Sequence, residues 1–509
     1  MRQPLGLVAL ILAVSAASGP GCGHSSDGSP SAVPSAKPNF VVILADDMAY
    51  GLFGEGHRFP ALQLSNLERL AARGVQFDRA AVTTSLCSPS RATLLSGLYA
   101  HTHGVGVNEI VELPASIPTY PQILQAAGYQ TAFVGKWHMD AHTDMPRPGF
   151  NYWLSFKGQG VYFDPPLNEN GKALKRTGYI TDLLTEYAVN WLRQRASQPQ
   201  PFLLILSHKA PHQPVQPAPR HADALAGLAL PEPANFEDTF TDKPEWQRRY
   251  ATCGGQPAAY VSCPDPLPRT LAPTPWTPRD PYRLDYLRTL LALDESVGAV
   301  VSALESQGLT GSTYVFFLSD NGLFLGEHRL GDKRIAYEES IRVPFVVAGR
   351  DLAARRSSAM ALNLDLAPTI LDLAGAPIPG TMQGRSLGSL LRGESIAPMR
   401  DSFLYEYETD SVYPVVPSLF AIRTLGRKYV AYPDRPDEDE LYDLGTDPSE
   451  LTNLARRPEW EATRASLRSN SSVSSTRPEG RSDAAEERGG EPYQPRWLPQ
   501  TGLKLGSSS

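Results

Sequence analysis

Cys87 opens the run Cys87-Ser88-Pro89-Ser90-Arg91-Ala92-Thr93-Leu94-Leu95-Ser96-Gly97, in which a thiol stands four residues before an arginine among small hydroxyl side chains. A lone cysteine in a Ser-rich turn is ordinarily a buried, inert group, and only its surroundings give it chemical meaning. Those surroundings are spread along the chain. Asp46, Asp47, Asp320 and Asn321 are all oxygen donors, a set that suits a hard cation and not Zn²⁺, which prefers nitrogen and sulfur. Ca²⁺ is the favoured ion, with Mg²⁺ as the alternative. Lys136 and His138, one residue apart, fit beside an anionic group as a fixed positive charge and a proton carrier. His212 lies between Pro211 and Pro214, where regular structure is disfavoured, so its imidazole is expected on a stiff loop.

The elements that must position these residues are short apolar runs. Asn39 to Ala45, Gln130 to Gly135, Phe202 to Ser207 and Tyr314 to Ser319 read as buried parallel strands, and each ends in charge-handling residues. Ligands of open α/β sheets bind outside the carboxyl ends of the strands, so the four ends are expected to converge. Adjacent aspartates point to opposite faces of a continuing strand, and therefore Asp46 and Asp47 share one ion only if the backbone turns there. Gly322 after Asn321 permits such a turn on the fourth segment. Helical periodicity in 61–73, 120–127, 182–195, 285–305 and 363–373 alternates with the strands, giving an α/β sandwich around a mostly parallel sheet. Beyond residue 395 the alternating runs 420–424 and 428–432 predict a small antiparallel sheet.

The cysteine run, with Gly128 to Ala132 leading to Gly135-Lys136-Trp137-His138, resembles the two signatures of type I, formylglycine-dependent sulfatases of the alkaline phosphatase superfamily. The resemblance spans about residues 37 to 456, and Ser96, where threonine is commoner, keeps the hydroxyl. It implies an alkaline-phosphatase-like fold and conversion of Cys87 to formylglycine (3-oxoalanine) by a formylglycine-generating enzyme. The hydrate of that aldehyde would attack sulfur through one hydroxyl and expel sulfate with the other. Carried over by residue, Asp46, Asp47, Asp320, Asn321 and the modified Cys87 face the metal, and Arg91 orients the hydrate. Lys136, His138 and Lys333 bind sulfate, and His212 is a candidate acid for the leaving alcohol. The stretches 149–153, 158–172 and 179–185 resemble the subgroup of bacterial mucin-desulfating enzymes and N-acetylglucosamine-6-sulfatases, implying a 6-O-sulfated N-acetylglucosamine or a related sulfated carbohydrate. Aromatic and amide side chains there also suit sugar faces and hydroxyls. A phosphonate or phosphate ester hydrolase, or a glycan-binding protein with unmodified Cys87, would use similar groups.

The 509 residues are 41% hydrophobic, enough for a large core, and the formal charge of −7 without a basic stripe argues against nucleic acid. Arg2 and the apolar stretch to Ala17 read as an export signal within residues 1–22, too short for a typical membrane span. Cys22 offers a lipid anchor, the only expected membrane attachment, with 23–37 as tether; cleavage near Ala17 is the alternative. A catalytic domain over 38–395, a C-terminal subdomain over 396–467 and a disordered tail over 468–509 complete the expected order. Cys253 and Cys263 are either a local disulfide or two free thiols in a proline-rich insertion.

Overall fold

The four apolar runs lie side by side in the centre of one ten-stranded sheet. The computed structural model describes residues 37–54, 57–108, 112–195, 197–252, 281–350, 352–394, 399–411 and 413–470. The leader, Cys22, the tether up to residue 36, Cys253, Cys263 and the tail beyond 470 lie outside the described residues. The main sheet contains β1 (Asn39–Asp46), β2 (Gly74–Ala81), β3 (Gln130–Lys136), β4 (Tyr152–Phe156), β5 (Pro166–Glu169), β6 (Lys172–Lys175), β7 (Phe202–Pro211) and β8 (Thr313–Ser319). A two-residue hairpin, β9 (Phe324–Leu325) and β10 (Gly331–Asp332), precedes β11 (Phe345–Gly349) and β12 (Arg355–Leu362), which return to the main sheet. The order is β12-β2-β11-β8-β1-β7-β3-β4-β5-β6, and the segment β8-β1-β7-β3-β4 is parallel throughout.

Alternation along each central strand divides the core into two layers. Val41, Ile43 and Ala45 point toward the helices Ser65–Ala71, Ile180–Arg195 and Pro281–Ser306, whereas Phe40, Val42 and Leu44 point toward Cys87–Ser96, Tyr120–Ala126 and Leu366–Ala374. Burial on both faces is why these strands read as unbroken apolar runs. The helix expected over 61–73 is confined to Ser65–Ala71, because the Asp294 carboxylate accepts hydrogen bonds from the Asn66 and Leu67 amides at 3.0 and 2.8 Å. That cap comes from another helix, so tertiary packing sets where this helix begins. β7 runs beyond the expected Ser207 to Pro211. Leu44 pairs with Ser207 and Asp46 with Pro211, so β7 carries extra residues that bulge against β1.

The small antiparallel sheet is present as β13 (Ser402–Tyr407), β14 (Leu419–Thr424), β15 (Arg427–Ala431) and β16 (Glu440–Asp443). Phe403, Tyr405 and Tyr407 share a core with Ala81, Leu86 and Phe324, so this sheet is packed onto the segments around the main sheet. A helix not expected from the sequence, Glu461–Asn470, follows it.

Among the glycines with close backbone approaches, two adjoin the strand-end residues Lys136 and Asn321. At Gly135, with φ of +123°, a Cβ would stand 1.8 Å from the Ser207 carbonyl oxygen; at Gly322 it would stand 2.2 Å from that of Glu339. Gly135→Ala is therefore expected to separate β3 from β7, costing more than about 3 kcal/mol. Thermal unfolding of the variant at the wild-type temperature would refute this.

Candidate active site

Because β8, β1, β7 and β3 are parallel neighbours, their carboxyl ends deliver Asp320-Asn321, Asp46-Asp47, Lys209 to His212, and Lys136 to His138 to one edge of the sheet. Asp47, at φ of +67°, makes the turn that brings both aspartates into the same pocket. Cys87 begins the helix Cys87–Ser96 beneath that edge. It is fully buried, with Sγ 3.0 Å from Lys333 Nζ and 3.7 Å from Asp46 Oδ1. Burial raises its thiol, but the ammonium groups of Lys136 and Lys333 more than offset this and hold it well below the usual thiol range.

Arg91 lies one turn further along the same helix face. Its Nε and Nη2 donate to Asp320 Oδ2 at 3.0 and 2.8 Å, and Nη1 donates to the Lys136 carbonyl and to Ser207 Oγ at 2.8 and 2.7 Å. Nη2 also lies 3.3 Å from Asp46 Oδ1. One guanidinium thus ties the ends of all four central strands.

The other cations meet the remaining carboxylate oxygens. Lys136 Nζ is shared between Asp46 and Gln159, and Lys333 Nζ donates to Asp47. Despite burial, Lys136, His212 and Arg91 hold the Asp46 carboxyl well below its ordinary value. His138 is positioned by Ser88, whose hydroxyl donates to the His138 carbonyl at 2.7 Å and lies 3.2 Å from Nδ1. Burial, reinforced by Lys136, lowers this imidazole to about 4. His212 turns Nε2 toward Asp47, 3.7 Å from Oδ2.

A hard cation fits this arrangement. Asn321 Nδ2 donates to Asp47 at 2.6 Å, yet its Oδ1 is buried with no hydrogen-bond partner among the described residues. Ligand atoms of Asp46, Asp47, Cys87 and His212 lie within 4.8 Å of one another. With Asp320, the donors are predominantly oxygen, as Ca²⁺ or Mg²⁺ requires.

All ten residues named from the sequence are therefore gathered in one pocket. His208, although next to Lys209 on β7, lies outside it: its Nε2 is 3.0 Å from Ser296 Oγ of the helix Pro281–Ser306, and burial lowers it to about 3. The aromatics expected to suit a sugar are also reassigned in part. Phe150 and Trp153 pack with Phe133 and Trp137, the Phe133 and Trp153 rings stacking at 4.8 Å; β4 joins the sheet beside β3 and buries Trp153, while Phe150 is partly buried. Gln159 was expected from the sequence only within a stretch whose amide side chains suit a sugar, and its bond from Lys136 was missed. Its only signal is the flanking Gly158 and Gly160, which let the chain pass close to the pocket.

The sulfatase family pattern matches residues 38–376, and that of the N-sulphoglucosamine sulphohydrolase C-terminal region matches 326–475. An N-acetylglucosamine-6-O-sulfatase of Bacteroides thetaiotaomicron is 31% identical over 477 residues, 83% of this chain and 84% of that protein. The human N-acetylglucosamine-6-sulfatase is 31% identical over 480 residues, 82% of this chain and 81% of that one. A solved protein in complex with its substrate D-glucosamine-2-N,6-O-disulfate is similar with a TM-score of 0.75 and 31% identity, covering 85% of this chain and 96% of that one.

Proposed function

From the premise that this chain belongs to the sulfatase family, as a type I sulfatase of the alkaline phosphatase superfamily and hence a sulfuric ester hydrolase, we propose that it removes the 6-O-sulfate of N-acetylglucosamine in a sulfated glycan. The observation that carries the catalytic reading is the convergence on Cys87 of Lys136, Lys333, Asp46 and Asp47 in one buried pocket. The sugar assignment is supported by the relatives and by the neighbour that binds glucosamine disulfate.

Family membership implies a formylglycine and a divalent metal ion. We assign Asp46, Asp47, Asp320, Asn321 and the modified residue 87 to the ion, with Ca²⁺ the better fit to the oxygen donors and Mg²⁺ the alternative. When present, the formylglycine hydrate supplies the nucleophilic hydroxyl and the ion supplies Lewis-acid polarisation. The chain's own residues do the rest. Lys136 and Lys333 present preorganised positive charge to the sulfate oxygens, and burial strengthens their effect as charge develops. His138, neutral at physiological pH, orders the sulfate by hydrogen bonding instead of charge. Arg91 fixes the carboxylates that frame residue 87. His212 hands a proton from Nε2 to the departing sugar alcohol, a contribution typically on the order of 10²–10⁴-fold. We further propose export by the apolar leader, with or without a lipid on Cys22, and a division at 395/396 between catalytic and C-terminal parts. No described helix is long and apolar enough to cross a membrane.

Inorganic sulfate release by the protein co-expressed with a formylglycine-generating enzyme tests the sugar assignment. Release from N-acetylglucosamine-6-sulfate is expected to exceed that from the 3-sulfate and from galactose-6-sulfate by roughly 10²-fold, the discrimination available to a site that hydrogen-bonds particular hydroxyls. Equal rates on all three would reject the assignment.

A further inference from the structure

His212 is held by two residues to which the chemistry above assigns no part. Tyr162, fully buried, donates its hydroxyl hydrogen to the His212 carbonyl oxygen at 2.8 Å. Lys209, also fully buried, lies with Nζ 4.9 Å from the centre of the Tyr162 ring and donates to the Gln213 carbonyl oxygen at 3.2 Å. That same Gln213 oxygen lies 2.5 Å from His212 Nδ1. A carbonyl can only accept, so Nδ1 carries the hydrogen and the ring is fixed with Nε2 toward the pocket. The His212 amide closes the turn by donating to the Lys209 carbonyl at 2.9 Å. Both carbonyls bracketing the imidazole are thus pinned, one by a phenol from another segment and one by an ammonium that rests on the phenol's own ring.

We propose that Tyr162 and Lys209 are positioning residues for His212, which hold its imidazole in the one orientation that presents Nε2 to the reacting ester. Tyr162 is itself rigid. Its ring stacks on Tyr179 at 5.6 Å, and three residues earlier Gln159 meets Lys136, so the segment 159–162 links the sulfate side of the pocket to the leaving-group side. The alternating neighbours Val161 and Phe163 are exposed, which leaves Tyr162 as the residue of this stretch turned inward to the His212 turn. The bulge in β7 supplies the extra residues that put Lys209 within reach of Tyr162. Positioning matters because proton transfer requires the imidazole within hydrogen-bond reach of the leaving oxygen, and small displacements of a catalytic group cost large factors in rate.

This inference rests on the assignment of His212 to the leaving alcohol, and a double-mutant cycle on the metal-loaded, formylglycine-bearing enzyme separates the two. Tyr162→Phe keeps the ring and removes only the hydroxyl. It is expected to lower kcat about tenfold with KM changed less than about twofold, the loss of one buried hydrogen bond read through the catalytic step. On a His212→Ala background the same change is expected to cost less than about twofold, since there is no imidazole left to position. Lys209→Met, which keeps much of the volume, should show the same non-additivity and provides an independent route if one variant is poorly folded; thermal unfolding checks each. The cycle is read on whichever sulfate ester the wild-type enzyme cleaves fastest, so it does not depend on the sugar assignment. Equal losses on both backgrounds, or no loss from either variant alone, would overturn the positioning role. A His212→Ala enzyme retaining full kcat would overturn the His212 assignment itself, and with it this inference.

Discussion

Replacing Cys87 by alanine is expected to leave a folded protein that releases no measurable sulfate, a loss of roughly 10⁴–10⁶-fold, as when a nucleophile that works with its partners as a unit is removed. The fold should survive because Cys87 is the first residue of a helix, where alanine is well tolerated, and its side chain's polar contacts are with Lys333, Asp46 and His138. Lys333 keeps its bond to Asp47 and Asp46 keeps Lys136 and Arg91, so no buried charge is stranded. Sulfate release from N-acetylglucosamine-6-sulfate, measured beside thermal unfolding, checks both halves. Activity within about tenfold of the wild type would mean that residue 87 is not the nucleophile.

Arg91 should show the largest combined effect on stability and activity. Arg91→Met removes donors from Asp320, the Lys136 carbonyl and Ser207 together, and strands a fully buried carboxylate beside Asp46. Breaking a buried pair by deleting one partner costs about 3–5 kcal/mol. Activity should fall by at least about 10²-fold as well, since the same carboxylates frame residue 87. Arg91→Lys is not expected to restore either property, because a single ammonium cannot reach an Asp320 oxygen, a carbonyl and a hydroxyl in the fork geometry of a guanidinium. Urea unfolding of the three proteins decides it. A lysine variant as stable as the wild type would mean that charge alone, and not the fork, joins the strand ends.

Much of the site was legible before any fold was known, and the reason is local. A strand buried on both faces must be apolar throughout, so Asn39–Asp46 and Thr313–Ser319 announce themselves as runs, and titratable residues directly after such runs mark the edge where a ligand sits. The β7 boundary was misjudged for the complementary reason. A bulge is a relation between two strands, and the spacing of Ser207 to Pro211 contains no trace of the register against β1. Helix starts behave alike: the Ser65–Ala71 helix begins where Asp294 caps it, from more than two hundred residues away.

The sequence by itself determined which residues are available for chemistry: the thiol of Cys87, the oxygen donors Asp46, Asp47, Asp320 and Asn321, and the cations Arg91, Lys136 and Lys333. Residue type fixes charge, donor capacity and nucleophilicity, and the signature spacing fixes which ones travel together. Only the tertiary structure decided their partners. The order β8-β1-β7-β3 sets Asp320 beside Asp46, the bulge shifts the end of β7 against β1, and the pairing of β3 with β4 turns Trp153 from a candidate sugar platform into core. Hydrogen bonds such as those of Arg91 and Tyr162 join residues 45 to 229 positions apart, and they exist only once hydrophobic burial has closed those loops.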